Sequence, residues 1–574
     1  MTKQMVFAGN LREIYERELK AFNEENLLKR LWSRDETLWP RENSAVAKIR
    51  ANLEFLHIPE KLPQILETVK GAESAARAEG LTERVLIAFE NADDLCRALL
   101  NIHPVSPPLK CGVLDSCHPS AIRRIEAQTE IEKTLFLLAN KSGYRVGDHS
   151  LFLYFQRAIR RGVSTASGRH FAAETEANSF LASIAKTHGF RFTLELPQGI
   201  QALFRTLVDL AALLVVLARV EPEVIRVACR EMKKAYSEPI PGGANPTCEL
   251  AALLSATVAS GKGFGVILTS PGLAPFAASL CKLVGGSLGK GEFGLYPLPE
   301  TVPCRTEVYK EKASFVVLRN GEEDEPLLGQ TVSDLKDLGI AFLEIAIADP
   351  LDLLRETFRW QIAATLAAAR MSIDPFEIPE VRLPRALSAE MLNSYSQPNN
   401  TLQRRPRIQE GEIQLFAENR TRQEISQLNL VECLVSFFEH RQSAAYLGLF
   451  IFLDKTEQTE SMFQSLREQL ARTLMVPVLL VWGPRSLDTY DYLLRVGAPA
   501  GLHLMVTADS EVDVAIPGAN YSFGQLHHAL ALGQFEALSA SSGLAVRLHL
   551  SSESPAAVSH LLKLVSQASR RVNP

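Results

Sequence analysis

Apolar residues fall into two kinds of run along this chain, some spaced three to four apart and others contiguous in short blocks. Between residues 10 and 80 the helical spacing dominates. LREIYERELKAF, SAVAKIRANLEFL and KLPQILETVKGAESAARAEG read as helices, divided by loop signals at RDETLWP and HIPEK. Gly80 stands where a helix C-cap is expected. Trp32 and Trp39, in RLWSRDETLW, read as packing residues that pin a loop to the core.

From residue 84 the texture changes. RVLIAF, LKCGVLDS and KTLFLLAN are strand-like runs, and ADDLCRALLN, PSAIRRIEAQ and HSLFLYFQRAIRR are the helices that follow them; RFTLEL comes later. Strands alternating with helices of about a dozen residues predict a doubly wound α/β unit. A second such unit begins near residue 245, with GFGVILTS, EFGLYPL, ASFVVLRN and AFLEIAIA as its strands. Prolines 375, 379 and 384 and the polar stretch from Ser394 to Glu412 then interrupt the pattern. Beyond them YLGLFIFL, PVLLVW, GLHLMVTA and LAVRLHL repeat the α/β rhythm. The expected division is a helical segment over 1–80, α/β domains over 81–240 and 241–392, a linker over 393–412, and a further α/β region over 413–574.

A length of 574 residues suits two or three units, each with its own core. The net charge of -5 and the lack of a basic stripe argue against nucleic acid as a partner. The eight cysteines show no metal spacing and no secreted disulfide framework. Cys111, Cys117 and His118 are close in sequence but lack a fourth ligand nearby, so no metal is expected. The oily run Leu207–Ala218 contains Asp209 and is too short to span a bilayer, so it reads as a buried helix. No secretory signal is apparent at the N-terminus, and a cytoplasmic protein with no membrane contact is expected.

Ligands of open α/β sheets bind beyond the carboxyl ends of the strands. The loop after RVLIAF brings Glu90, Asp93 and Asp94 and no glycine, which disfavours an anion. Lys141, Ser142, Gly143, Tyr144 and Arg145 follow the third strand and could hold a phosphate at a helix start. Pro197–Gln201 carries no charge, and Leu288–Glu292, with Lys290, is a glycine-rich turn open to anions. None of these is a P-loop or dinucleotide fingerprint, so no cofactor is expected. Asp93, Asp94, Lys141 and His149 could alternatively surround a cationic or metal-bound ligand. Of His527 and His528 on one helix, only one can face inward, and His118 and His188 sit near turns without evident partners.

From Arg30 to Gly533, blocks in colinear order resemble glucose-6-phosphate isomerase, especially the isomerase half of bacterial transaldolase fusions. They include RLWSRDETLW, LDSCHP, NKSG, NPTCELAALLSATVASGKGFGVILTSPGLAPF, KLVGGSLGKGEFG, DPLDLLRETFRWQIAATLAAARMSIDPFEIPEV, VWGPRSL and IPGANYSFGQLHHALALG. The resemblance implies two sugar isomerase (SIS) domains of flavodoxin-like type, usually paired as a homodimer. It also implies positions for the chemistry, which needs a carboxylate base, a cation for the oxyanion and a phosphate pocket. The family's base glutamate falls on Gly286, its arginine on Gly199 and its late lysine on Arg385. Its glycine- and serine-rich first loop falls on Ala88–Asp94. Its phosphate loop keeps Lys141, Ser142 and Gly143, but two threonines become Tyr144 and Arg145 and a glutamate becomes Gly147. Losing a general base typically costs about 10²–10⁴ in rate. The expectation is therefore a catalytically degenerate homologue acting as a structural or regulatory binding protein. Its partner would be a second copy, a metabolic enzyme such as a transaldolase, or a larger assembly. The alternatives are an active isomerase of glucose 6-phosphate and fructose 6-phosphate, or a sensor holding a sugar phosphate at Lys141, Ser142, Gly143, Arg145 and Lys290.

Overall fold

The computed structural model describes residues 2–572 except 8–9, 41–45, 90, 103–109, 141–145, 163–166, 238–244, 322–324, 378–381, 396–404, 426–427, 485–489, 496 and 542. At 2–3, 382–385, 394–395 and 419 the description is of the backbone alone. The chain opens with strand β1 (Thr2–Val6), and helices Leu11–Glu24, Leu27–Trp32, Val46–Asn52 and Ile58–Ala78 follow. The first sheet contains β2 (Glu83–Ala88), β3 (Cys111–Leu114), β4 (Thr134–Ala139), β5 (Phe171–Glu176) and β6 (Phe192–Leu196). All five are parallel, in the order β3-β2-β4-β5-β6. Counted from β2 this is 2-1-3-4-5, the flavodoxin-like order.

The second sheet holds β7 (Phe264–Thr269), β8 (Tyr296–Thr301), β9 (Ala313–Asn320) and β10 (Phe342–Ile347), arranged β8-β7-β9-β10. Its fifth place is taken by β1, which pairs antiparallel with β10, Val6 opposite Phe342. A third sheet follows the same plan. Strands β11 (Ile408–Glu410) and β12 (Ile413–Ala417) precede β13 (Tyr446–Phe452), β14 (Val478–Trp482), β15 (Gly501–Ala508) and β16 (Leu544–Leu550). Their order is β14-β13-β15-β16-β12-β11, with β12 antiparallel to β16. Four strands thus lie outside the expected pattern: β1 within the stretch read as helical, β11 within the stretch read as a linker, and β5 and β12 in stretches where no strand was expected.

Strands buried on both faces lose the in–out alternation, which is why they read as continuous apolar runs. Every residue of β2, β10, β13 and β16 is buried. The Leu207–Ala218 run forms most of helix Ala202–Val216, buried on nearly every side with Asp209 inside it. One core joins the N-terminal helices to helices of the first and second units, and another lies between the second and third sheets. Trp39 donates its Nε1–H to the Thr365 carbonyl at 3.0 Å, and Trp32 donates to the Tyr236 carbonyl at 3.2 Å. Both tryptophans therefore tie the loop between them to distant helices. Among the described residues, no helix is long and apolar enough to cross a membrane.

Candidate functional site

The carboxyl ends of β2, β4, β5 and β6, where ligands of such sheets bind, approach helix Ala274–Leu288 of the second unit and the residues after it. Helix Ala92–Ile102 begins just after β2. Asp93 and Asp94 occupy its first turn and are 0% and 1% exposed. Both carboxylates are therefore shut off from solvent rather than displayed on a loop. A helix N-terminus favours carboxylates, and Asp94 Oδ2 accepts a hydrogen bond from Lys282 Nζ at 2.9 Å. Lys282, on helix Ala274–Leu288, is itself buried. Nothing in its local sequence marks it as a counter-ion. Glu90 lies outside the described residues.

The phosphate-loop residues Lys141, Ser142, Gly143, Tyr144 and Arg145 also lie outside the described residues. Their neighbours are well placed. Asn140 Nδ2 donates to Asp148 Oδ2, and the Asn140 carbonyl accepts from Thr175 Oγ1 at 2.7 Å. At Gly147 a Cβ would stand 2.9 Å from Cys117 Sγ and 3.5 Å from the Phe89 ring. The family's glutamate therefore has no room there unless Cys117 moves. Burial pushes the Cys117 thiol far above its ordinary range, so it is not a nucleophile at neutral pH. His149, in the first turn of helix Val146–Gly162 after β4, makes an edge-on contact with Phe180 at 5.5 Å between ring centres.

Gly199 lies in the turn after β6 with φ +77°, the left-handed region that favours glycine. A Cβ on it would approach Ala51 Cβ to 3.2 Å, so an arginine there would be strained. The turn is held from both sides. The Gln201 amide donates to Asn52 Oδ1 at 2.7 Å, and Gln201 Nε2 donates to the Phe376 carbonyl at 2.9 Å. A guanidinium does lie nearby, on a residue the sequence reading passed over. Arg205 donates to the Pro197 carbonyl at 3.2 Å and to Glu176 Oε1 at 2.6 Å, and is 2% exposed.

Gly286 is buried in the last turn of helix Ala274–Leu288. The third unit covers that turn. The Tyr492 ring packs so closely on Gly285 that a Cβ there would fall 2.3 Å from Tyr492 Cδ1. Arg495 donates to the carbonyls of Gly285 and Gly289 at 3.3 and 3.4 Å, and its other amine reaches Asp491 at 3.0 Å. A cation at a helix C-terminus is favoured by the backbone dipoles.

Just beyond, Lys290 Nζ donates to the Asp374 carbonyl. This amine is lowered to about 8, chiefly by burial; Asp374 and Glu377 oppose the shift, and Arg495 and Lys48 reinforce it. Lys290, Gly286 and Gly199 are thus brought to one region, because the 374–376 segment contacts both Lys290 and Gln201. Helix Arg382–Tyr395 carries Arg385, whose side chain lies outside the described residues. Asp374 Oδ1 accepts from the Phe376 amide at 2.9 Å, so this neighbouring carboxylate serves the local turn. Among the described residues no cluster of His, Cys, Asp and Glu could hold a metal ion.

No protein-family model matches the chain. No curated protein matches it either. Solved structures do. A hypothetical protein from Thermus thermophilus superposes with TM-score 0.56 at 16% identity, over 68% of this chain and 100% of that one. A glucose-6-phosphate isomerase from Chlamydia trachomatis superposes with TM-score 0.50 at 15% identity, over 67% of this chain and 87% of that one. At such identities the likeness concerns the fold. The chain has a sugar isomerase (SIS) α/β fold of flavodoxin-like type, with a helical N-terminal segment and a further C-terminal α/β region.

Proposed function

We propose that this chain is a homologue of glucose-6-phosphate isomerase that no longer isomerises and acts by binding, as a structural or regulatory partner. The observation that carries this reading is the burial of Gly286 at the position of the family base, beside Tyr492 and Arg495. The turn at Gly199 and the filled space at Gly147 support it, since neither accommodates the family side chain without strain. The binding role is supported by a scaffold whose units keep extensive buried apolar cores. A homodimer, a metabolic enzyme such as a transaldolase, or a larger assembly in the cytoplasm is the setting this role implies.

The test is a coupled assay of fructose 6-phosphate and glucose 6-phosphate interconversion on the purified chain. Absence of turnover is expected. Turnover comparable to an ordinary isomerase, abolished by changing Lys141 or Arg385, would overturn the reading in favour of an active enzyme. A sensor that binds a sugar phosphate without converting it is the second reading, favoured by the adjacent cations Lys290 and Arg495. Calorimetry with 6-phosphogluconate distinguishes it: heat lost on Lys290→Ala or Lys141→Ala supports the sensor, and no heat supports pure scaffolding.

A further inference from the structure

His118 precedes helix Pro119–Gln128 of the first unit and lies in its joint with the third. Its Nδ1 accepts from the Ser120 amide at 3.3 Å, and its Nε2 lies 3.0 Å from Ser510 Oγ and 3.1 Å from Glu553 Oε2. Its ring meets His527 edge-on, with 5.0 Å between ring centres. His527 is on helix Phe523–Ala540 and is 6% exposed. No side chain hydrogen-bonds to either of its ring nitrogens. The next residue, His528, stacks on His549 at 5.9 Å, and His549 reaches Thr507 Oγ1 at 3.0 Å. Four imidazoles therefore meet where the first unit covers the carboxyl ends of β13, β15 and β16.

Charged groups around them come from every packed element. Arg124, on helix Pro119–Gln128, makes a two-pronged bridge to Asp454 after β13, at 2.8 Å in both prongs. Asp509 follows β15 and stands 3.5 Å from His549 Nε2; Glu553 follows β16, and Arg547 lies within it. Asp513 holds the Gly524 amide at 2.9 Å, at the start of the His527 helix. Helix Arg382–Tyr395 packs alongside and carries Glu390, which is exposed.

We propose that this joint is acid-labile, so that a proton taken up at His527 releases the first unit from the third. Two effects compete. A protonated His118 gains attraction from Glu553 and would tighten the joint. A protonated His527 is a buried charge facing another imidazole with no carboxylate of its own, and would open it. The second effect dominates, because burial and the neighbouring His118 and His528 outweigh the Phe452 backbone contact that favours the proton and hold His527 well below the ordinary imidazole range. His528 and His549 are also held down, to about 4. The opened state therefore binds more protons than the closed one. The closed joint is fully favoured above about pH 6.5 and loses up to about tenfold per pH unit for each histidine as pH falls toward 4.

Hydrogen–deuterium exchange on the full chain between pH 7.5 and 4.5, corrected for intrinsic rates, tests this. Protection in helices Pro119–Gln128 and Phe523–Ala540 is expected to fall by about tenfold per pH unit below pH 6, while β9 stays protected. His527→Phe is expected to flatten the profile, and His527→Gln serves if the phenylalanine variant does not fold. Wild-type protection independent of pH would overturn the proposal. So would an unchanged acid loss in both His527 variants, or loss in β9 parallel to that in the two helices.

Discussion

Lys282 Nζ lies 2.9 Å from Asp94 Oδ2, and both side chains are shut off from solvent. The pair joins the helix after β2 to the helix whose last turn carries Gly286. At the start of the helix after β2 the space is therefore filled by a contact between two protein charges.

Breaking one side of that pair should be costly, because an uncompensated buried charge remains. Lys282→Met is expected to destabilise the fold by about 3–5 kcal/mol. The double variant Lys282→Met with Asp94→Asn is expected to recover part of that loss. Urea denaturation of the two variants beside the parent measures both; equal losses in the two would contradict the assignment.

The fit of Tyr492 on Gly285 predicts that even one methyl group is too much. Gly285→Ala should cost about 1–3 kcal/mol through overpacking. In a double-mutant cycle with Tyr492→Ala, the alanine at 285 should be nearly neutral once the ring is gone. A Gly285→Ala penalty that persists without the ring would show that the collision is not its source.

Introducing the side chains that glucose-6-phosphate isomerase would place at these positions should not confer isomerisation. Gly286→Glu, Gly199→Arg and Gly147→Glu together are expected to give no detectable interconversion and a lowered melting temperature. The strain sits at φ +77° of Gly199 and against Cys117 at Gly147. Robust turnover in the coupled assay would show that the pocket had kept its shape.

Lys290 should titrate near 8 rather than at the ordinary lysine value, since burial disfavours its charge. Carbon-13 dimethylation followed by NMR reads this directly. Its native amine holds its proton less tightly than the unfolded one, so stability should rise with pH between about 8 and 10.5. Lys290→Met should remove that rise. A midpoint near 10 would place the amine in water instead.

Much of this arrangement was legible in the residues. The apolar runs at RVLIAF, AFLEIAIA and YLGLFIFL became fully buried strands because helices cover both faces, and periodicity reports burial directly. Of the histidine pair, His527 did turn inward, but His528 is largely covered too, because His549 on β16 stacks against it. Strand β1 was missed because TKQMV is short and largely polar, and it became a strand only where the edge of β10 offered backbone partners. His118 seemed partnerless for a similar reason. Its partners Ser510, Glu553 and His527 are hundreds of residues away.

By itself, then, the chain determined its α/β rhythm and the absence of a charged side chain at Gly286 and Gly199, because both are written in local residue types. Only tertiary structure decided that Asp94 is neutralised by Lys282 and that Tyr492 and Arg495 cover the vacated helix end. Those depend on which distant segments meet, and electrostatics and packing act through distance in space rather than along the chain.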